Sequence, residues 1–366
     1  MIPIYKPYLD KYKKSAIDAI NSNWISNHGK YIQLASDKLN NIFGTKYCIL
    51  MNNGTSATHC LFKSLKYKYP NINKIYIPNN VFIAPYNCCL MEYSPNIIEI
   101  MKIDNETLNI DTSDEYIESL DTNSAICIVH NLGNIINVPR LKRIRPDIIF
   151  IEDNCEGLCG KYEGLYSGTE SLCSSVSFYG NKTLTTGEGG AFFTNDEEIY
   201  NYIYTIYSHG MTSKRYIHNH IATNFRMTNI QAAFLYDQLN DIDHILKLKN
   251  NIFNNYDNLL KSDKIIKIKS EYNTCHSKWM YAIIIPSIQY DNLEKYMKEH
   301  NIEIRSFFYD IHTHIHLQKI KNNFDNSFSK SITQHIILLP SFPELTIIEQ
   351  KCIVEKLQHY IENTNV

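Results

Sequence analysis

Between Tyr47 and Thr194 the chain alternates short apolar runs with stretches whose apolar residues recur every three to four positions. The runs at 47–51, 74–78, 97–102, 125–130, 148–153, 175–179 and 190–194 predict strands. Those at 125–130 and 148–153 are almost continuously apolar, as strands buried on both faces are. Helical spacing predicts helices over 11–21, 31–43 and 56–67. Gly44 stands where a left-handed residue would stop the second of them. Strands alternating with helices predict an α/β layer around a mostly parallel sheet. A long helical pattern follows over 229–258, and then the character changes. Runs at 264–269, 279–285 and 302–308, with a helix over 291–300, predict a smaller α+β unit. The boundary is expected near residue 245, giving units of 1–245 and 246–366 with no Gly/Ser or Pro linker between them.

Composition narrows the class. With 366 residues and 44% hydrophobic content the chain can bury a sizeable core. Its 36 Lys+Arg against 38 Asp+Glu leave a net charge of −2, without the basic excess of a nucleic-acid binder. No apolar run approaches the roughly 18 residues of a membrane-spanning helix, and Met1-Ile2-Pro3 does not open a signal peptide. None of the ten cysteines forms a C-x-x-C pair, and several lie in apolar runs. That predicts buried free thiols in a reducing compartment, and so a cytoplasmic protein.

Four motifs carry candidate chemistry. Lys182 sits just past the run at 175–179, among small hydroxyl residues, before the glycine-rich turn Gly187-Glu188-Gly189-Gly190. A lysine among uncharged neighbours loses solvation, which favours the free amine that attacks a carbonyl; a solvated loop lysine is the competing reading. The stretch around Gly180-Asn181-Lys182-Thr183 is not a phosphate-binding P-loop, because Asn181 and Val176 stand where that motif needs glycines. The apolar run at 148–153 ends in Glu152 and Asp153, at the strand end where α/β sheets bind ligands; an acid there also serves as an ordinary cap. Asn52-Asn53-Gly54-Thr55-Ser56, between strand and helix, offers N–H and hydroxyl donors to a phosphate, or simply N-caps the helix through Thr55 or Ser56. Phe82 follows the run at 74–78 and is either core or a platform for a planar ring. A phosphate cup, a flat aromatic, a carboxylate and a lysine at strand ends together suit pyridoxal phosphate.

At these residues the chain resembles the pyridoxal-phosphate sugar aminotransferases of the DegT/StrS type, of aspartate-aminotransferase fold (fold type I). The resemblance rests on Ser177-Phe178-Tyr179-Gly180-Asn181-Lys182 through Gly190, on Glu152-Asp153-Asn154-Cys155-Glu156, and on Asn224-Phe225-Arg226-Met227. It is nearest the perosamine- and viosamine-forming branch. The resemblance implies that Lys182 binds the cofactor aldehyde and shuttles the proton, and that Asp153 pairs with the pyridinium nitrogen. It implies that Glu156 meets the cofactor 3-oxygen, where many relatives have Gln, and that Phe82 stacks on the ring. Gly54, Thr55 and Ser177 would hold the phosphate. Asn224 would reach the phosphate of a neighbouring subunit, which implies a homodimer with shared active sites. Trp24, Ser26, His209 and the segment from Arg305 to His312 would line a sugar-nucleotide site.

The implied reaction moves the amino group of L-glutamate, which leaves as 2-oxoglutarate, to C4 of a UDP- or GDP-linked 4-keto-6-deoxyhexose. Amination at C3 is the alternative. The family's R-P-F-F-x-P-[LI]-H block reads Arg305-Ser306-Phe307-Phe308-Tyr309-Asp310-Ile311-His312, without either proline, and this departure from the perosamine pattern favours UDP. A sugar 3-dehydratase would have His in place of Lys182, and a sugar-sensing homologue need not keep the lysine. His312, His314 and His316 alternate as zinc ligands on a strand would, but have no nearby Cys or acidic trio, so a sugar contact at His312 is the better reading and no metal is expected. Lys214 and Arg215, with His218 and His220 beyond, suit either a substrate diphosphate or a solvated loop.

Overall fold

The computed structural model describes residues 1–325 and 327–363; the last three residues of the second expected unit lie outside that range. The main sheet has seven strands: β1 (Tyr47–Met51), β2 (Lys74–Pro78), β3 (Ile98–Met101), β4 (Ser124–Val129), β5 (Ile149–Asp153), β6 (Ser174–Ser177) and β7 (Gly190–Thr194). Their order is β1-β7-β6-β5-β4-β2-β3. From β3 to β6 all neighbours are parallel, and β7 runs antiparallel to both β6 and β1. Every residue of β4 is buried, and so is β5 after its first, as continuous apolar runs require. Carboxyl ends of the parallel strands therefore open on one edge, where Asp153 and Ser177 terminate β5 and β6.

Around the sheet lie α1 (Lys14–Asn21), α2 (Lys30–Phe43), α3 (Gly54–Lys68), α4 (Ala84–Glu92), α5 (Asn229–Asn240) and α6 (Ile242–Leu259). Gly44 ends α2 in the left-handed conformation, φ 75°. The cap of α3 corrects an expectation. Asn53, not Thr55 or Ser56, accepts the Ser56 N–H at 2.8 Å, and Thr55 stays exposed. The single helix expected over 229–258 is two, broken at Asp241 (φ −126°, ψ 25°), whose carboxylate accepts the Tyr12 hydroxyl at 2.9 Å. The apolar spacing continues through the break and conceals it.

The second sheet comprises β8 (Ile266–Lys267), β9 (Tyr281–Ile284), β10 (Arg305–Ser306) and β11 (Ile336–Leu339), antiparallel in the order β8-β9-β11-β10. Helices α7 (Tyr290–Glu299) and α8 (Ile347–Asn363) pack on it, with Ile283, Leu293, Ile337 and Leu357 in their shared core. Helix α6 starts in one core at Ile245 and ends in the other at Ile252 and Tyr256. The strand expected over 302–308 contracts to two residues because the chain beyond it leaves the sheet. There Asn80 Nδ2 donates to the Phe308 and Ser329 carbonyls at 3.0 and 2.9 Å, and Asn79 Nδ2 donates to Asp310 at 2.9 Å. Two buried asparagines at the end of β2 thus latch the 308–310 segment to the edge of the main sheet.

A second fastening holds the loop before α2. Asn229, at the start of α5, gives its N–H to the Ser26 carbonyl at 2.6 Å and its side-chain amide to the Trp24 carbonyl at 2.6 Å, and accepts the Tyr31 N–H at 3.0 Å. A Cβ on Gly29 would stand 2.0 Å from Asn229 Cγ. Gly29→Ala is expected to lower stability in urea by about 1–3 kcal/mol, the usual penalty of overpacking; unchanged unfolding would mean that the loop does not sit against Asn229.

Candidate active site

Side chains alternate across a strand, so the two acids ending β5 face opposite ways. Glu152, fully buried, accepts from His130 Nε2 at 2.9 Å, the Gly168 N–H at 2.9 Å and the Tyr162 hydroxyl at 3.3 Å. His130 Nδ1 accepts the Ile136 N–H at 3.1 Å, which assigns the ring proton to Nε2. This acid is consumed in holding the sheet to the loops behind it.

Asp153 faces α3. Its Oδ1 accepts the Cys155 N–H at 3.1 Å, and its two oxygens lie 3.4 Å from the Ser175 and Thr58 hydroxyls. Those hydroxyls are 3.0 Å apart, so they are satisfied by each other as much as by the acid. A buried carboxylate with long, shared hydrogen bonds has capacity left for a cationic N–H. Glu156 lies one turn further on. Its Oε2 accepts the Leu132 N–H at 2.8 Å, presented by a left-handed backbone at Leu132, φ 58°. Its Oε1 is 3.8 Å from Lys182 Nζ. Burial pushes the Glu156 carboxyl up to about 7, against the opposing pull of Lys182.

Lys182 follows β6 on a turn closed by its own N–H to the Tyr179 carbonyl at 2.9 Å. The expectation of uncharged neighbours is corrected: the side chain, 13% exposed, lies between the Glu156 carboxyl and the face of Trp279, with Nζ 3.9 Å from the ring centroid. Trp279 comes from the second unit and belongs to no motif, so sequence reasoning missed it. Thr58 and Ser175 were also missed. Thr58 lies one helical turn after Gly54, a spacing that puts both on one face of α3 and was there to be read.

The phosphate cup has its shape from Gly54. A Cβ there would stand 2.7 Å from Ser177 Cβ and 3.1 Å from Cys155 Sγ, so only glycine lets the first turn of α3 approach β6. The N–H groups of Gly54 and Thr55 precede the first intrahelical bond, which Ala57 makes to the Asn53 carbonyl. Phe82 is 54% exposed and meets Phe308 edge-on at 6.3 Å, so its ring is only partly covered by the chain. Asn224 is exposed beside this cup: the Asn52 N–H bonds the Phe225 carbonyl at 2.7 Å, and Asn52 Nδ2 lies 3.4 Å from the Asn224 carbonyl. Carboxylate, amine, partly covered aromatic ring and a donor-rich helix start fit a planar, anionic, phosphorylated aldehyde such as pyridoxal phosphate.

The sequence pattern of the DegT/DnrJ/EryC1/StrS aminotransferase family matches residues 9–358. The chain belongs to this family. It is a pyridoxal-phosphate-dependent aminotransferase of fold type I. GDP-perosamine synthase of Escherichia coli O157:H7 is 30% identical, over 98% of each chain. That of Vibrio cholerae is 29% identical, over 98% of this chain and 99% of its own. Among solved structures, Helicobacter pylori PseC, an aminotransferase of pseudoaminic acid biosynthesis, superposes with a TM-score of 0.90 at 23% identity, covering 98% of each chain.

The candidate substrate residues of this aminotransferase fall into two groups. Trp24 and Ser26, pinned by Asn229, are exposed, as is His209, whose N–H bonds the Thr223 carbonyl at 3.0 Å next to Asn224. Arg305 pairs with Glu303 at 3.3 Å and lies over Tyr5. His312 is more occupied than expected: Nε2 meets the Ile320 carbonyl at 2.9 Å and Nδ1 is 3.4 Å from Asp310. The three alternating histidines do not share a strand. They fall on tight turns, with His316 Nε2 directed to Asn87 at 2.8 Å. Lys214 and Arg215 are exposed. The cysteines are free thiols, six of them buried, but Cys275 is exposed. Among the described residues no helix is long and apolar enough to cross a membrane.

Glu156 makes the stability of the cofactor-free protein depend on pH. Between pH 4.5 and 7 the folded chain keeps a proton on this group that the unfolded chain has lost, so stability falls as pH rises through that window. Glu156→Gln is therefore expected to stabilise the cofactor-free protein at pH 8 by up to about 3 kcal/mol, with the gain vanishing below pH 4.5. Urea unfolding of both proteins at the two pH values checks it.

Proposed function

We propose that this enzyme moves the amino group of L-glutamate to C4 of a GDP-linked 4-keto-6-deoxyhexose, releasing 2-oxoglutarate and giving a 4-amino-4,6-dideoxy sugar of perosamine type. The observation that carries this reading is the convergence of Lys182, Asp153 and the Gly54 cup at one sheet edge, in a chain similar from end to end to GDP-perosamine synthases. The loss of both prolines from the segment between Arg305 and His312 favours UDP on pattern alone. Asn79 and Asn80 hold that segment by hydrogen bonds instead, so its departure has a structural reason, and the relatives favour GDP.

In this proposal Asp153 would hold the cofactor's pyridine N–H, Gly54, Thr55 and Ser177 would bind its phosphate, Phe82 would cover its ring and Glu156 would meet its 3-oxygen. Bound pyridoxal phosphate supplies an aldehyde that carries the amino group and a ring that withdraws electrons from the reacting carbon. Lys182 would take the proton from the substrate carbon bearing the amino group and deliver it to the cofactor carbon that has taken up the amine, acting as base and acid in turn, and would reverse the transfer for the keto sugar. The buried setting keeps bulk water from competing for that proton. Asn224 would complete a partner's phosphate site, which makes the working form a homodimer, and Trp24, Ser26, His209, Arg305 and His312 would meet the sugar nucleotide. In this reading the second unit, 246–366, meets the first, 1–245, at Trp279 and Lys182, and the reaction would run in the cytoplasm.

Lys182 weighs against a sugar 3-dehydratase, and the complete lysine, aspartate and glycine set weighs against a sensor without activity. Purified enzyme given nitrogen-15 glutamate and either GDP- or UDP-linked 4-keto-6-deoxy sugar should put the label on C4 of the GDP sugar. Lys182→Ala should lower the rate by at least about 10²–10⁴-fold, the range of a lost general acid–base group. Amination at C3, or preference for UDP, would overturn the substrate assignment, and wild-type turnover by the variant would overturn the role of Lys182.

A further inference from the structure

We propose that Trp279 is a positioning residue for Lys182: its indole face is the seat that the ε-ammonium occupies whenever the lysine is free. This rests on Lys182 as the cofactor lysine. Nζ lies 3.9 Å from the ring centroid, and tryptophan is the aromatic that attracts a cation most strongly. On its other side Nζ is 3.8 Å from Glu156 Oε1, so the seat has a π-face on one wall and a carboxyl on the other.

The seat is built rather than incidental. Trp279 is 6% exposed and is fixed through its edge and its backbone. The indole Nε1–H donates to the Asn181 carbonyl at 2.9 Å, so the ring is bonded to the residue directly before the lysine it carries. From behind, Lys249 Nζ donates to the Trp279 carbonyl at 2.9 Å and to the Ser341 carbonyl. Lys249 is itself buried, 4% exposed, and the reaction makes no use of its amine. Its hydrogen bonds tie α6, the start of β9 and the end of β11 together at the point where the second unit meets the active-site loop. A lysine on a flexible stem would otherwise sample several rotamers. Seated, its amine stays beside Glu156, close to where Asp153 and the Gly54 cup place the reacting group. Leucine would cover much the same surface without attracting the charge, whereas phenylalanine would keep an aromatic face and lose the bond to Asn181.

The chain has two tryptophans, Trp24 and Trp279, so in the Trp24→Phe protein all indole emission comes from Trp279. An ammonium against an indole quenches it. In cofactor-free Trp24→Phe protein, adding Lys182→Met is expected to brighten the emission, a readout that needs neither cofactor nor substrate. In a second arm, pyridoxal phosphate is trapped on the cofactor-free protein by borohydride and located by mass. Trp279→Phe should trap at Lys182 within about threefold of the wild-type rate, and Trp279→Leu about three- to thirty-fold more slowly, the range of a partly desolvated cation–π contact. Thermal unfolding of each variant identifies a misfolded protein, in which case the emission arm and the Phe variant decide. Unchanged emission on removing Lys182, or trapping by a folded Leu variant at the wild-type rate, would overturn the proposal. Trapping at a different lysine would overturn the assignment beneath it. Failure of every keto sugar as substrate would overturn the proposed function and leave the seat standing.

Discussion

Asp153 and Glu156 are buried at the end of the central strand, with the Lys182 amine 3.8 Å from Glu156, and the rest of the site is arranged around that fact. Buried carboxylates are costly unless hydrogen-bonded or paired. The chain answers in two ways. Asp153 receives a backbone N–H and shares two hydroxyls. Glu156 receives one backbone N–H and keeps its other oxygen toward the lysine, with its affinity for a proton raised. Neither acid is fully satisfied by the protein alone. That remaining capacity is what a protonated ring nitrogen and a neighbouring ring oxygen would use.

The architecture delivers these groups from separate elements. Parallel strands bring Asp153 and Ser177 to a common edge, α3 starts against them because residue 54 has no side chain, and the antiparallel return of β7 closes the loop that carries Lys182. The second unit enters twice. It supplies Trp279 to the lysine, and through the Asn79–Asn80 latch it holds Phe308 against the loop of Phe82. Phe82 and the 308–310 segment are thereby parts of one contact.

Much of this was legible in the sequence. Strands β1, β2 and β7 fall at their expected limits because they are short apolar runs between strong turn signals. Lys182, Asp153, Gly54 and Phe82 stood out because each ends or follows such a run, where an α/β sheet places its ligands. What stayed hidden depends on tertiary contact. Asp241 breaks a helix with no change in apolar spacing. Trp279 gains its meaning only when the two units meet. The paired acids at 152 and 153 differ by strand alternation: Glu152 is taken up by His130 on one face, and Asp153, which the family resemblance singles out, lies on the other. Likewise the missing prolines pointed only to a different nucleotide, while the asparagines that hold the segment lie more than two hundred residues earlier in the chain.

The central claim is that the Lys182–Asp153–Glu156 cluster carries an amino group on pyridoxal phosphate between an amino acid and a keto sugar. Its most direct test is the absorbance spectrum of the purified protein during successive addition of L-glutamate and a GDP-linked 4-keto-6-deoxy sugar. The account predicts a lysine-bound cofactor band that glutamate bleaches to the pyridoxamine form and that the keto sugar restores. A protein that shows no bound chromophore after incubation with pyridoxal phosphate, or a band that glutamate leaves untouched, would contradict it.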